Sequence, residues 1–519
     1  MRATHEGRRP ATKLRGPGVA VRAPPGTKYR VYGLMVVSGN TASARASALE
    51  RHSVYVSNLD SDEEATHGTV ANTPSAADAA PGASGTRGGG ASSVREHDRM
   101  LGMVLALPLG DSPEGRATVR GYTWSSAVPA HVRPDVWRLL CGCVPCAPAS
   151  LSRQQAELRR KRAEYENFVA KYYRITITDF MQPSAQQHAG PQSVSAGLGA
   201  STTKAPNNNN SSSSSSSMDT APLSPDERAI LWQIALDLPR HTYALFRHPN
   251  TASALARCLF LWSRRYPAVG YVQGIDDIMA VFFFVFLEGS FSERNIRLKR
   301  NRRRSSGEGV TDYTTAEDVY IPETVVFTRD VGELGAALQQ LPVDLFKAAE
   351  ADAYLCGGFF LSWLQDNFVQ GQPGLLRSMA LIERLLAQVD SVLLDAVAGY
   401  GISLMDCCFQ WVHCLLAREL PLELLVVLWE KYLAIGNSET VMDFHAYVCA
   451  VLLMDLRDNV LDKSVDVVLQ RLKDPLGVRG KQKQQQKPLD GVVYDRRWID
   501  KIIAAASRLC HLHPASSLA

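Results

Sequence analysis

The stretch Gly270–Asp277 carries residues suited to phosphate chemistry at the start of a predicted helix. Gln273 lies between a turn marked by glycine and proline and the apolar run Ile278–Leu287, which predicts a buried helix. A helix N-terminus favours negative charge, and it accepts either Asp276 and Asp277 or the phosphate of a ligand. Gln273 would then stand beside a place where a phosphate can bind. The alternative is that its side chain only satisfies free N–H groups of the helix.

A second stretch, Ser224–Arg240, predicts a helix that ends in an outward-pointing arginine. The segment Ser224–Glu227 has the sequence of a capping box with proline at the first helical position. Pro239 ends the helix, because proline lacks an N–H donor and restricts the residue before it. Arg240 therefore lies at or just beyond the helix terminus, where Asp237 can orient it. The alternative is a solvated Asp–Arg pair of no functional consequence.

These two stretches together resemble the signature motifs of the TBC domain, which is found in Rab GTPase-activating proteins. The first motif is Ile234-x-x-Asp237-x-x-Arg240, and the second is Tyr271-x-Gln273-Gly274. Further matches lie at Val132–Trp137, Asp366–Gly374 and Phe409–Trp429. The segment Asp366–Gly374 resembles a segment found in one golgin- and Golgi-associated branch of the family. Departures from the usual pattern occur at Asp276, Gln410 and Glu430.

The resemblance implies that Arg240 and Gln273 act together on a partner's GTP. Arg240 would be an arginine finger, since a planar and permanently charged guanidinium fits the oxygens of the transferring phosphate. Gln273 would replace the glutamine of the GTPase, because a carboxamide can orient the attacking water by donating and accepting at once. Four further residues would support these two fingers: Asp237, Tyr271, Gly274 and Trp137.

The resemblance also implies the partner, the process and the location. The expected partner is a Rab-family small GTPase in its GTP form, with adaptor proteins as further partners. No cofactor of the protein's own is expected, because GTP and Mg²⁺ belong to the GTPase, and the protein would be an activator rather than itself an enzyme. It would regulate vesicle and membrane trafficking from the cytoplasm, with at most peripheral association with Golgi or endosomal membranes. The alternative is a catalytically silent scaffold that binds a GTPase or an adaptor.

Composition and periodicity predict an all-α domain with polar interruptions. Residues 1–98 are poor in large apolar side chains and are predicted to be disordered. The TBC resemblance covers about 120–515, with predicted inserts at about 182–223, 288–316 and 473–492. Helical spacing dominates the remainder. The family would imply two helical subdomains that meet in a V-shaped cleft.

The distribution of charge and the spacing of the cysteines indicate which other ligands the protein is expected to bind. A net charge of +4 over 519 residues predicts no general attraction to nucleic acid. The basic run Arg294–Arg304 is interpreted either as a contact for phospholipid head groups or an acidic partner, or as a solvated loop. The basic half of the predicted helix 152–173 is expected to be solvated. Cys141-x-Cys143-x-x-Cys146 lacks an accompanying ligand cluster, so no metal site is predicted.

Overall fold

The computed structural model describes residues 113–126, 128–144, 151–174, 177, 223–305, 321, 323–328, 331–476 and 494–518. The predicted N-terminal region 1–98 lies outside these residues, as does nearly all of the insert 182–223. Residues 306–316 and 477–492 of the other two inserts lie outside them as well. Among the described residues, no single helix is both long and apolar enough to cross a membrane, although one sharply bent pair (Ser391–Gly399 with Leu404–His413) meets both criteria jointly.

The described residues contain helices and no strand, which confirms the all-α prediction. The first nine α-helices are α1 (Pro113–Ser125), α2 (Arg133–Leu140), α3 (Leu151–Tyr172), α4 (Pro225–Asp237), α5 (Ala244–Arg247), α6 (Pro249–Arg265), α7 (Ile275–Ser305), α8 (Val331–Gln340) and α9 (Val343–Ser362). The next nine are α10 (Gln365–Phe368), α11 (Pro373–Val389), α12 (Ser391–Gly399), α13 (Leu404–His413), α14 (Leu422–Ile435), α15 (Ser438–Asp455), α16 (Arg457–Val460), α17 (Val465–Lys473) and α18 (Arg496–Leu512). Short 3₁₀ turns cover Leu238–Arg240, Glu323–Phe327 and Ala515–Ser517.

Helix α7 forms the centre of the N-terminal half and packs chiefly against α9 and α6. On one side, the ring of Trp137 from α2 meets Phe282 of α7 edge-on, with ring centroids 5.0 Å apart. In the C-terminal half, α15 packs between α11 and α18. Helix α14 contacts α1, α2, α7 and α18, so it joins the two halves. The stacked rings of Phe360 and Trp429, 5.2 Å apart, belong to this junction.

Helix α7 is longer than the sequence predicts. It continues to Ser305, so residues 288–305 of the predicted insert are helical. The polar residues after the apolar run have internal partners: Glu288 pairs with Arg133 at 2.7 Å, and the Asn295 amide exchanges hydrogen bonds with the backbone of Ile321. Because these polar groups are satisfied inside the fold, they do not end the helix. The basic run Arg294–Arg304 is therefore helical.

The basic face of α3 is only partly solvated, contrary to the prediction. Arg162 of α3 and Arg138 of α2 both bind the buried carboxylate of Asp352 in α9, at 2.6 and 2.8 Å. A buried carboxylate needs such charged partners, because burial without them would be costly. Arg160 of α3 remains on the surface and pairs with Glu157. Part of this face thus ties α3 to the core.

His445 provides a prediction about pH and stability. It is fully buried in α15, where Nδ1 lies 2.7 Å from the Tyr432 hydroxyl and Nε2 lies 2.9 Å from the Trp411 carbonyl oxygen. Burial lowers the pKa of His445 to about 4, so the unfolded chain, with an ordinary pKa of about 6.5, binds this proton first as pH falls. We expect the free energy of unfolding to decrease by about 2 kcal/mol from this residue between pH 7 and pH 5.

Chemical denaturation at both pH values tests this prediction. Other groups titrate in the same interval, so the informative quantity is the difference in pH dependence between the wild type and His445→Gln, which keeps a donor and an acceptor without a titratable ring. The variant should lose about 2 kcal/mol of the wild-type pH dependence. An identical pH dependence in both proteins would contradict the assignment.

Candidate functional site

The carboxylate of Asp237 joins the two sequence motifs. One oxygen, Oδ1, accepts a hydrogen bond from Arg240 Nη1 at 3.0 Å, and the other, Oδ2, accepts one from the Tyr271 hydroxyl at 3.0 Å. Asp237 is the last residue of α4, and its side chain is buried, whereas that of Arg240 is 62% exposed. The structure thus contains the contact through which Asp237 is predicted to orient Arg240. Because only one end of the pair is solvated, this is not a free surface ion pair.

The local sequence explains how α4 presents the arginine. The predicted capping box is present: Ser224 Oγ accepts from the Glu227 backbone N–H at 3.1 Å, and the Glu227 side chain accepts from the Ser224 N–H at 2.8 Å. At the other end, the helix gives way to the 3₁₀ turn Leu238–Arg240, which contains Pro239. The turn tightens the last residues and sends Arg240 outward.

Burial defines the protonation of the groups behind the arginine. It raises the pKa of Asp237, as does the nearby Asp276 carboxylate, whereas the Tyr271 hydroxyl and the Arg240 guanidinium act in the opposite direction. Burial, followed by the charges of Asp276 and Asp237, raises the pKa of the Tyr271 phenol. Tyr271 thus remains a neutral hydrogen-bond donor to the carboxylate.

Gln273 lies two positions before the first residue of α7, beside the helix N-terminus as predicted, and its side chain is exposed. The alternative that it only caps the helix finds no support among the described contacts, because the cap is made by Asp276. Oδ1 of Asp276 accepts a hydrogen bond from the Gly274 N–H at 2.8 Å. The carboxamide of Gln273 is therefore not the group that holds the helix N-terminus.

The backbone at Gln273 is held by His413, a residue that the sequence motifs do not single out. His413 Nε2 lies 3.0 Å from the Gln273 carbonyl oxygen, which can only accept, so Nε2 carries the proton. Burial lowers the pKa of His413, which keeps the ring neutral. Phe368 and Phe409 pack on the ring with centroids 4.6 and 5.1 Å away. Phe409 is one of the residues that match the family, and it is the sequence signal that could have pointed to this part of α13.

Gly274 is required by both backbone conformation and space. Its φ of +106° is one that residues with a side chain rarely adopt. A Cβ at this position would lie 2.9 Å from Cδ2 of His413 and 3.0 Å from Sγ of Cys414. The glycine therefore permits the close approach of α13 that brings His413 to Gln273.

A buried ion cluster lies behind the two motifs. Nε2 of His241 is 3.3 Å from Asp276 Oδ2, and Nδ1 is 3.5 Å from Asp277 Oδ1. Arg418 Nε is 2.5 Å from Asp277 Oδ2. Burial and the charge of Asp277 raise the pKa of Asp276. Asp276 and Asp277, which the sequence assigns to the first turn of α7, thus connect this helix to His241, which follows α4, and to Arg418, which follows α13.

This cluster is, among the described residues, the group with a spacing that could hold a cation. The ligand atoms of His241, Asp276 and Asp277 lie within 4.8 Å of one another. Arg418 already places a permanent positive charge against Asp277, so the cluster has its own counter-ion. We interpret it as a structural ion network rather than a metal site.

Trp137 lies in the core of the fold. The resemblance implies that this residue supports the fingers, but its ring is fully buried and packs against Phe282, well inside α7. Any contribution to Gln273 passes through the position of α7 as a whole. Of the other predicted support residues, Asp237 contacts Arg240, Gly274 adjoins Gln273 in the chain, and Tyr271 reaches Arg240 only through their shared partner Asp237.

The sequence matches a family model described as the Rab-GTPase-TBC domain over residues 130–461. Among similar proteins, TBC1 domain family member 22A of Mus musculus is 28% identical over 374 residues, covering 72% of this chain and 54% of that protein. TBC1 domain family member 22B of Homo sapiens is 29% identical over 347 residues, covering 66% and 51%. GTPase-activating protein gyp1 of Schizosaccharomyces pombe is 28% identical over 338 residues, covering 65% and 49%.

The chain spans about half the length of these relatives. Its fold is similar to the crystal structure of the Ypt/Rab-GAP domain of Gyp1p, with a TM-score of 0.55 at 22% sequence identity. That similarity covers 81% of this chain and 99% of the solved domain. At this level of identity the similarity establishes the helical fold.

Proposed function

The chain belongs to the Rab-GTPase-TBC domain family, and from that premise we propose that it accelerates GTP hydrolysis by a Rab-family small GTPase. The observation that supports this proposal most directly is the arrangement of side chains around Asp237. One carboxylate holds Arg240 of the first motif and Tyr271 of the second, while Arg240 and Gln273 both reach solvent. Two exposed polar groups on connected, rigid supports are suited to enter the active site of another protein.

In the proposed mechanism, Arg240 neutralises charge on the transferring phosphate. The phosphoryl group carries its negative charge on oxygens that a guanidinium can contact with more than one N–H group. Asp237 keeps the guanidinium extended from the end of α4 before the GTPase arrives. Less side-chain freedom is then lost when the complex forms.

Gln273 orients the attacking water in the same mechanism. Its amide oxygen accepts a hydrogen bond from the water, and its NH₂ group donates one to a phosphate oxygen or to the GTPase. His413 and Gly274 fix the backbone that carries this side chain. GTP and Mg²⁺ are bound by the GTPase in this proposal, and the TBC chain contributes the two side chains.

Hydrolysis by a panel of GTP-loaded Rab GTPases tests the proposal. The wild-type protein should accelerate multiple-turnover phosphate release from at least one member. Gln273→Ala should lower kcat on that member by about 10²-fold, because an oriented donor to the reacting centre is lost. Gln340→Ala removes an exposed glutamine at the end of α8 and should have no effect.

Two outcomes would contradict this function. A wild-type protein that accelerates no GTPase would favour the silent scaffold. Wild-type activity that survives Gln273→Ala would instead remove Gln273 from the mechanism. Trafficking at Golgi or endosomal membranes, adaptor binding and a cytoplasmic location remain predictions from the resemblance.

A further inference from the structure

Helix α4 has an exposed face that carries no charge. Beyond its first turn, its exposed positions are Ala229, Trp232, Gln233 and Leu236. Trp232 is 41% exposed and Leu236 is 38% exposed. The opposite face, which includes Ile234, is buried and packs towards α6. A tryptophan and a leucine are thus presented to solvent although the helix already has an apolar face for the core.

The uncharged face leads to the arginine finger. Trp232 and Leu236 are one turn apart, so they lie on the same side of the helix. The next turn, through the 3₁₀ segment, ends at Arg240, whose side chain is 62% exposed. At a rise of about 1.5 Å per residue, Trp232 lies about 12 Å along the axis from Arg240. This distance is well within the footprint of one bound protein.

We infer that Trp232 and Leu236 form the docking surface for the GTPase that receives Arg240, an inference that rests on the proposed function. Arg240 is fixed to the end of α4 by Asp237, so a protein that accepts the guanidinium must also lie against the adjoining face. Exposed tryptophan beside a charged anchor is the composition expected of an interface hot spot. The partner surface that fits is an apolar patch beside the nucleotide site of the GTPase.

Two other occupants fit the geometry less well. A second copy of this chain seated on α4 would cover Arg240 and exclude the GTPase from it. A bilayer surface favours a larger apolar area flanked by several cations, and here the exposed stretch offers two large apolar side chains and one arginine. The GTPase is the occupant that uses the apolar residues and the arginine together.

The docking surface of Trp232 and Leu236 contributes to binding of the GTPase and not to the chemical step. Its loss should therefore change KM and leave kcat nearly unchanged. On a GTPase that the wild type activates, Trp232→Ala should raise KM about tenfold and change kcat by less than about twofold. Leu236→Ala should shift KM in the same direction by a smaller factor. Phe168→Ala is the matched control, because Phe168 of α3 is also an aromatic residue with 41% exposure. It should leave both constants unchanged.

The outcomes separate this inference from the proposed function. A wild type that activates no GTPase overturns both. An active wild type with an unchanged KM in Trp232→Ala, or with a loss confined to kcat, overturns the docking surface alone. Sedimentation of the free protein checks the remaining occupant: a wild-type dimer that becomes a monomer in Trp232→Ala would assign the face to self-association and overturn the inference. Equal melting temperatures of the Trp232 and Phe168 variants show that the comparison is between folded proteins.

Discussion

Replacing Arg240 with alanine should reduce the kcat of GTPase activation by about 10³-fold or more. The guanidinium is exposed and has one described side-chain partner, Asp237, so its removal should leave the fold intact. The loss should fall on kcat more than on KM, because charge on the transferring phosphate develops in the transition state. Single-turnover phosphate release at saturating protein measures this loss directly.

Two further variants sharpen the test of the arginine. Arg240→Lys keeps the charge but loses the planar array of donors, so it should recover only a small part of the rate. Arg160→Ala removes another exposed arginine that pairs with an acidic residue on its own helix, and it should match the wild type. Full activity in Arg240→Ala would mean that the exposed guanidinium is not the catalytic group.

The sequence predicts best what is encoded by neighbouring residues. The capping box at Ser224–Glu227 and the end of α4 near Pro239 follow from local backbone chemistry, and both are confirmed. The order of the two motifs singles out Arg240 and Gln273 without any knowledge of the fold. The cap and the helix end depend on spacing within one or two helical turns, whereas Arg240 and Gln273 are identified by the resemblance of two motifs that lie further apart in the chain.

Features that depend on distant partners do not follow from the sequence. The contact between His413 and the Gln273 carbonyl joins segments that are far apart in the chain, and nothing near Gln273 requires it. The shared pairing of Arg138 and Arg162 with Asp352 likewise depends on how α2, α3 and α9 pack. The sequence predicts a helix that is shorter than α7, because the polar residues of α7 after Leu287 find their partners in distant segments. Polar residues after an apolar run indicate a helix end only when they have no internal partner.

The site also explains a departure from the family pattern. Asp276 is one of the departures from the pattern of the family, and a carboxylate so near the proposed phosphate site would oppose an incoming anion. In the structure this carboxylate is buried, accepts the Gly274 N–H and lies beside His241. Asp277, its neighbour, pairs with Arg418. The negative charge is therefore directed into the ion network and away from the exposed fingers.

Gly274→Ala should be the most damaging small substitution in this region. Its φ of +106° would strain any residue with a Cβ, at a cost of about 1–3 kcal/mol. The new methyl group would also lie 2.9 Å from the His413 ring, which adds about 1–3 kcal/mol of overpacking. We expect the free energy of unfolding to decrease by about 2–6 kcal/mol. Movement of His413 would displace Gln273, so kcat should also decrease by about 10²-fold.

Two comparisons separate the strain from the clash at Gly274. Gly371 has a φ of +82°, and a methyl group added there would meet no neighbouring atom within 4 Å, so Gly371→Ala carries the backbone strain without the overpacking. It should destabilise the protein less and leave kcat unchanged. Adding His413→Ala to Gly274→Ala relieves the contact of the methyl group with the imidazole ring, although that with Cys414 Sγ stays, and it removes the hydrogen bond to the Gln273 carbonyl. The double variant should therefore be more stable than the sum of the single effects indicates, while its kcat stays low. Equal destabilisation by Gly274→Ala and Gly371→Ala would show that the contact with His413 adds no overpacking. Recovery of kcat in the double variant would show that His413 does not position Gln273.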